Sequence, residues 1–277
     1  MGVNPSGMVT LLTDFGLKDP YVAMMKGVIL SVNPTARIID ISHLVTTAGV
    51  AQAAQILYDT YPYFPEGTVH VAVVDPGVGT QRRPILAVAR SHLFVGPDNG
   101  VLWPIIETCD EAEIIHLTEA RYFLPHVSHT FHGRDIFAPV AGHLSQGVDP
   151  FDMGPVIYDP IHLKYPAPYQ KEGSLYGQIV QVDHFGNLIT NIRAEELQEF
   201  LKGSILLVRI GDLNIERIEQ TYAQTAAGEP LALFGSSGYL EIAVNRGRAV
   251  DRTGFDPAET IGREVSVSRT GADGRHS

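Results

Sequence analysis

Two short runs bring together side chains that can activate water. Asp75-Pro76-Gly77-Val78-Gly79-Thr80-Gln81-Arg82-Arg83 places a carboxylate and two guanidinium groups around a turn, and Thr130-Phe131-His132-Gly133-Arg134-Asp135 supplies an imidazole. Pro76 fixes one backbone angle, while Gly77 and Gly79 permit positive φ or close approach of a ligand. A carboxylate can take a proton, an arginine holds its charge at any working pH, and a neutral imidazole can orient or relay. By itself the first run reads equally well as a tight turn with a structural Asp–Arg pair. His126, His129 and His132 invite a metal reading, but steps of three drift around a helix axis and alternate faces on a strand. Three ligands do not converge from either, so no metal is expected.

Two later runs could hold a ligand. In Asp183-His184-Phe185-Gly186-Asn187-Leu188-Ile189-Thr190-Asn191, Phe185 could stack a flat ring while Asp183 and Asn187 hydrogen-bond; an ordinary hairpin fits the same residues. Phe234-Gly235-Ser236-Ser237-Gly238-Tyr239-Leu240-Glu241-Ile242-Ala243-Val244-Asn245-Arg246-Gly247 exposes backbone N–H groups that suit a carboxylate or phosphate, or forms a plain loop into a strand. Gly77-Val78-Gly79-Thr80 lacks both the Gly-Lys-Ser/Thr ending of a P-loop and the third glycine of a dinucleotide fingerprint. Cys109, the one cysteine, sits beside Glu107, Asp110 and Glu111, which disfavour a thiolate, so no nucleophile is expected there.

The elements that must position these groups alternate. Val9–Thr13 reads as a buried strand ending in Asp14-Phe15-Gly16. Tyr21–Val32 has helical spacing, with Val22, Met25, Ile29 and Val32 on one face. Arg37–Ile41 and Thr68–Val74 read as strands around an Ala-rich helix, Ala48–Tyr58; Ile85–Ala89 and Leu93–Gly96 are two further strands. The run from Asp135 to Leu144 is helix-like, which puts His132 near a helix N-terminus. The fold class expected is α/β: an N-terminal, mainly parallel sheet covered by helices over 1–160, with Asp14 and Asp75 at strand carboxyl ends where such folds bind ligands. Pro160, Pro166 and Pro168 mark a linker over 161–173. A smaller C-terminal β-barrel follows over 174–277, with strands at Tyr176–Val182, Ser204–Ile210, Leu231–Phe234 and Tyr239–Val244, one helix at Ala194–Leu201, and a polar tail from Thr270.

The chain has 277 residues, 44% of them hydrophobic, and 20 Lys+Arg against 31 Asp+Glu, a net charge of −11. So acidic a chain lacks the basic footprint of a nucleic-acid binder. No apolar run is long enough to span a bilayer, and the N-terminus has neither the basic nor the apolar region of a signal peptide; Gly2 and Ser6 fit a myristoylation pattern only superficially. A single cysteine allows no internal disulfide, so a reducing, cytoplasmic setting is expected.

In order along the chain, Thr-Asp-Phe-Gly at 13–16, Asp-Pro-Gly-Val-Gly-Thr-x-Arg-Arg at 75–83, Gly-Pro-Asp-Asn-Gly at 96–100, Thr-Phe-His-Gly-Arg-Asp at 130–135 and Asp-x-Phe-Gly-Asn at 183–187 resemble the S-adenosyl-L-methionine hydroxide adenosyltransferases. These S-adenosylmethionine hydrolases are relatives of fluorinating and chlorinating enzymes. The resemblance implies an N-terminal α/β domain, a C-terminal β-barrel, and a homotrimer with sites between neighbouring subunits. It implies a water-organising triad at Asp75, Arg82 and His132, which the halogenating relatives lack. It places Asp14 on the ribose hydroxyls and Asn99, Asp183, Phe185 and Asn187 near the substrate. Ser236, with its neighbours Tyr239 and Glu241, falls near the methionine end, and Val244 near adenine. The reaction implied is attack of water on the 5′ carbon, releasing adenosine and L-methionine without a cofactor. In the expected arrangement Arg82 polarises the water, Asp75 anchors Arg82, and His132 orients the water or relays the proton; which of the three takes the proton stays open. Three other readings stay open: a sensor that binds without turnover, a halogenase, and a metal-dependent phosphoesterase.

Overall fold

The structure, a computed structural model, describes residues 3–164, 167–202, 205–256 and 259–270. Met1, Gly2, Tyr165, Pro166, Ser204 and the tail at 271–277, all used in the sequence reading, lie outside the described residues. The chain forms two compact units, Met1–Lys164 and Tyr165–Ser277.

The first unit is built on seven strands: β1 (Met8–Thr13), β2 (Arg37–Ser42), β3 (Val69–Val73), β4 (Pro84–Ala89), β5 (His92–Pro97), β6 (Glu113–His116) and β7 (Val156–Ile157). Their order across the sheet is β2-β1-β3-β5-β4-β6-β7. Pairing is parallel from β2 through β1 and β3 to β5. It is antiparallel between β5 and β4, β4 and β6, and β6 and β7, so β4 and β7 alone run against the rest. The sheet is mostly parallel, as expected, with an antiparallel flank. A two-residue turn, Arg90-Ser91, with both residues at positive φ, joins β4 to β5. Such a turn matches the twist of a hairpin, which strand spacing alone did not reveal.

Both faces of the central strands are covered, which is why β1, β3, β4 and β5 are apolar nearly throughout. On one face Val9, Leu11, Val69, Val71, Val73 and Val95 pack against Met25 and Ile29 of α1 (Tyr21–Val32) and against Val140, Ala141 and Leu144 of α4 (Ala138–Ser145). On the other, Leu12, Ala72, Val74, Ile85 and Phe94 pack against Ala53 and Leu57 of α2 (Val50–Thr60) and Ile105 of α3 (Trp103–Glu107). Alternate residues of one strand feed opposite cores, the period-two rule of an extended chain. Helix α1 buries Val22, Met25 and Ile29, with Val32 half-buried beyond them. It crosses α4 so closely that a Cβ at Gly142 would come within 2.8 Å of Val32 Cβ.

The second unit carries β8 (Tyr169–Lys171), β9 (Ser174–Val182), β10 (Leu188–Arg193), β11 (Ile205–Ile210), β12 (Leu213–Ile215), β13 (Pro230–Phe234), β14 (Tyr239–Val244) and β15 (Glu264–Thr270), with α5 (Ala194–Leu201). Strand β8 falls inside the Pro-rich stretch 161–173 and pairs with β9. The sheet is antiparallel, in the order β12-β11-β15-β9-β10-β14-β13. Its end strands β12 and β13 lie against each other, and Ile218 bridges to Ala232, so it is nearly barrel-shaped. The interior is aliphatic, including Ile179, Leu188, Ile192, Val208, Ile242, Val265 and Val267. Helix α5 closes against it through Leu197 and Phe200. Each such side chain contributes about 1.5–3 kcal/mol by leaving water.

Candidate active site

Strand β3 delivers Val73 into the core and, two residues on, turns out at Asp75. The run that follows folds back so that Arg82 meets Asp75 through two bonds: Nε donates to Oδ1 at 3.1 Å, and Nη2 donates to Oδ2. Both side chains are almost fully covered, at 6% and 5% exposure. Gly79 makes the fold-back feasible. It has φ +77°, and a Cβ there would come within 2.3 Å of the His129 carbonyl oxygen. The Asp75 turn is thereby packed against the loop that carries His132.

His132 immediately precedes a π-helical turn, Gly133–Phe137, that runs into α4. Asp135, fully buried, holds that loop: it accepts from Ser128 N–H at 2.8 Å, Ser128 Oγ at 2.7 Å and Arg134 Nε at 2.6 Å. Arg82 Nη2 lies 2.9 Å from His132 Nδ1. A guanidinium has no acceptor, so Nδ1 must accept, and the imidazole carries its proton on Nε2. Burial first, and the Arg82 charge second, push the His132 pKa below its ordinary value, which keeps the ring neutral. Arg82 Nη1 is buried without a partner among the described residues, and the guanidinium lies over the Phe137 ring at 5.4 Å.

Asp75 and His132 line a cavity of about 200 Å3, together with Asp14, Phe15, Ala48 and Phe131. Arg82 does not line it; it stands behind the two groups that do. Asp14 follows β1 as Asp75 follows β3, and these strands are adjacent and parallel. One carboxylate oxygen of Asp14, Oδ2, accepts from Ala48 N–H at 3.0 Å. Phe15, Tyr21 and Phe131 form an edge-to-face cluster with centroids 5.2–5.9 Å apart. A larger open groove of about 1050 Å3 runs past Glu66, Arg90, Cys109 and Glu111, but none of the candidate groups reaches it. Convergent chemistry, not volume, picks out the smaller cavity. His126 and His129 are exposed, and no three His, Cys, Asp or Glu side chains cluster as metal ligands among the described residues.

Asn99 is committed elsewhere. Its amide donates to the Val74 carbonyl at 2.8 Å, its Oδ1 accepts from Val101 N–H at 3.1 Å, and it does not line the cavity. The neighbouring Asp98 is buried against Arg83, whose guanidinium also grips Asp159 at 2.8 Å. The second arginine of the run is therefore a clamp between the β5 end and the segment near Asp159.

In the second unit the loop between β9 and β10 is tied by Asp183, which accepts from Asn187 N–H at 2.8 Å and Asn187 Nδ2 at 2.9 Å. Phe185 at its tip is a large ring left 71% exposed, edge-to-face with the neighbouring His184 ring at 5.6 Å. Glu241 on β14 is buried and accepts from Tyr222 Oη at 2.5 Å. Burial, with Asp183 nearby, raises the Glu241 pKa, and burial with the Glu241 bond raises that of Tyr222. Gly235 leaves room for this carboxylate: a Cβ would sit 2.8 Å from Glu241 Oε2. Ser236 is exposed in the turn before β14, whereas Tyr239, under the Arg193 guanidinium at 4.7 Å, and Val244 are buried. Asp183, Asn187, Glu241 and Tyr222 thus form one polar cluster, with Ser236 on the turn beside it.

Family models for the N-terminal and C-terminal domains of SAM hydroxide adenosyltransferases match residues 9–154 and 177–262. The chain belongs to the SAM hydroxide adenosyltransferase family. Among curated proteins it is 38% identical to the (R)-S-adenosyl-L-methionine hydrolase of Salinispora tropica, over 93% of this chain and 97% of that one. It is 27% identical to a fluorinase of Actinoplanes, over 88% and 93%. A solved structure of an uncharacterised conserved protein from Thermotoga maritima superposes with a TM-score of 0.87 at 37% identity, covering 95% of this chain and all of that one.

In this family member the sequence reading missed the groups that steady the site from behind. The Ala-rich pattern starts a helix at Ala48, but that residue takes φ 61° and sends its N–H to Asp14. Helix α2 consequently begins at Val50. Thr13 and His43, fully or almost fully buried and bonded at 2.9 Å, were also missed. The only sequence signal for them was a threonine and a histidine at the ends of neighbouring strands.

Proposed function

We propose that the chain hydrolyses S-adenosyl-L-methionine at its 5′ carbon, giving adenosine and L-methionine. The observation that carries this reading is the convergence of Asp14, Asp75 and His132 on one cavity, with Arg82 bonded to both Asp75 and His132 from behind. Water enters the cavity neutral. Its oxygen forms a bond to the 5′ carbon as the C5′–S bond breaks, and the electron pair stays on sulfur as a neutral thioether. Such a leaving group needs no acid, metal or redox cofactor. The proton goes to Asp75, each of whose oxygens accepts one bond from Arg82 and retains acceptor capacity. His132, with Nδ1 engaged and a proton on Nε2, orients the water as a donor and is not the base. Arg82 acts through these two groups as a positioning residue: it fixes the carboxylate, the tautomer and the ring orientation.

Charge separation disappears in this transition state, so a site that excludes water favours it. The Asp75 carboxylate in the wall also disfavours a halide nucleophile and suits water. Asp14 would take the ribose hydroxyls. Phe185, Asp183, Asn187, Ser236, Tyr239, Glu241 and Val244 would serve the adenine and methionine ends; Asn99 supports the β3 end instead. We further propose a cytoplasmic homotrimer with sites between subunits. Leu17, Tyr21, Met24 and Leu44 stay 41–71% exposed around the Asp14 turn, an apolar rim suited to burial against another copy. Among the described residues no helix is long and apolar enough to cross a membrane.

The test is incubation of the pure protein with S-adenosyl-L-methionine, with and without chloride or fluoride. Adenosine and methionine in equal amounts are expected. Tight binding without product would mark a sensor, and a 5′-halo nucleoside would mark a halogenase.

A further inference from the structure

The turn that presents Asp14 is held by a second polar chain that the mechanism above does not use. Thr13 Oγ1, fully buried, lies 2.9 Å from His43 Nδ1 and accepts from Phe15 N–H at 3.2 Å. Asp40 Oδ1, 3.1 Å from the far ring nitrogen Nε2, favours the imidazole proton there, which leaves Nδ1 to accept from the Thr13 hydroxyl. The His43 carbonyl takes Gly16 N–H at 2.8 Å, at a glycine with φ +72°. One residue therefore grips both sides of Asp14. Behind the ring, His43 Nε2 lies 3.1 Å from Asp40 Oδ1, and Asp40 Oδ2 is paired with Lys26 Nζ at 2.6 Å. Lys26 lies on α1, the helix that follows the turn, so the chain runs from β1 through His43 and β2 back to α1.

We infer that His43 is a positioning residue for Asp14: its imidazole and its carbonyl fix the Thr13–Gly16 turn so that the Asp14 carboxylate faces the cavity. Ala48 N–H orients Oδ2 of that carboxylate, and His43 sets where the carboxylate stands. The inference rests on the reading of Asp14 as the ribose group. A side chain that only stabilised the fold would lower the melting temperature without changing which sugar the site prefers.

The experiment compares kcat/KM for S-adenosyl-L-methionine with that for its 2′-deoxyribose analogue in the full-length protein. Asp14→Ala should collapse the wild-type preference, by about tenfold for loss of a hydrogen bond to a charged group. His43→Leu should collapse it to a similar degree. His43→Asn, whose amide oxygen can stand where Nδ1 accepts, should keep the preference within about twofold of wild type. Thr13→Val is nearly isosteric, removes the hydroxyl alone, and should behave as His43→Leu does, which covers a His43→Leu protein that fails to fold. Retention of the preference in folded His43→Leu or Thr13→Val, while Asp14→Ala loses it, would overturn the inference and spare the Asp14 assignment. Retention in Asp14→Ala would overturn both.

Discussion

Asp75→Asn separates proton acceptance from shape. The amide is nearly isosteric, but it replaces one of two acceptor oxygens with two N–H donors, and these would face a guanidinium that can only donate. One of the two Arg82 bonds is lost along with the negative charge. Loss of a positioned base costs about 10^2–10^4 in rate, or about 2.7–5.4 kcal/mol. Breaking a buried ion pair by removing one partner costs stability too, about 3 kcal/mol at the lower end of the usual range, because the amide keeps one bond and the cavity admits solvent. Adenosine release under saturating substrate should therefore fall at least about a hundredfold. The loss should fall mainly on kcat, with a smaller rise in KM, since removing the carboxylate also removes its attraction for the substrate sulfonium. Steady-state chromatography of adenosine gives kcat and KM, and a thermal melt confirms that the variant is folded. A folded Asp75→Asn protein with kcat within about tenfold of wild type would refute Asp75 as the proton acceptor.

Three further outcomes follow from the geometry. Because burial and Arg82 lower the His132 pKa, and protonation of Nδ1 would expel the Arg82 bond, kcat/KM should stay level as pH falls through about 6.5 and drop only below it; a limb at or above that value would contradict a neutral Nε2–H tautomer. His70, fully buried between Thr10 and His92, has its pKa lowered to about 3, so the unfolded chain binds more protons between there and 6.5; stability present above 6.5 is lost on acidification, by about 2 kcal/mol at pH 5 from this residue alone, and His70→Gln should flatten the fall in melting temperature between pH 7 and 5. Gly142→Ala should destabilise by about 1–3 kcal/mol, since its Cβ would press on Val32 and force α1 and α4 apart; chemical denaturation measures it, and an unchanged midpoint would contradict the close crossing.

Asp14 and Asp75 were legible because each ends an apolar run that could only be an interior strand, and adjacent parallel strands put their carboxyl ends side by side. His132 was legible from its place before the run Asp135–Leu144, although that run opens with a π-helical turn that no periodicity marked. Strand β15 and the antiparallel pairing of β4 with β6 were not legible, since partners far apart in the chain leave no local pattern. The order in which Arg82 and Asp75 stand at the cavity was not legible for a related reason. A sequence shows that Arg82 can meet Asp75, but not which of the two stands in front. Only the packing of Gly79 against His129 and the burial of the guanidinium place Arg82 behind the carboxylate. Asn99, in the run Gly96-Pro97-Asp98-Asn99-Gly100, bonds through its side chain to the Val74 carbonyl and the Val101 N–H.

The claim at the centre is that water, deprotonated toward Asp75, attacks the 5′ carbon. Turnover in water enriched in oxygen-18, followed by mass spectrometry of the product, tests it most directly. The expected result is adenosine carrying one heavy oxygen, confined to its 5′ hydroxyl, released in equal amount with unlabelled methionine. Adenosine without label, or a product whose 5′ carbon bears anything other than solvent oxygen, would contradict it.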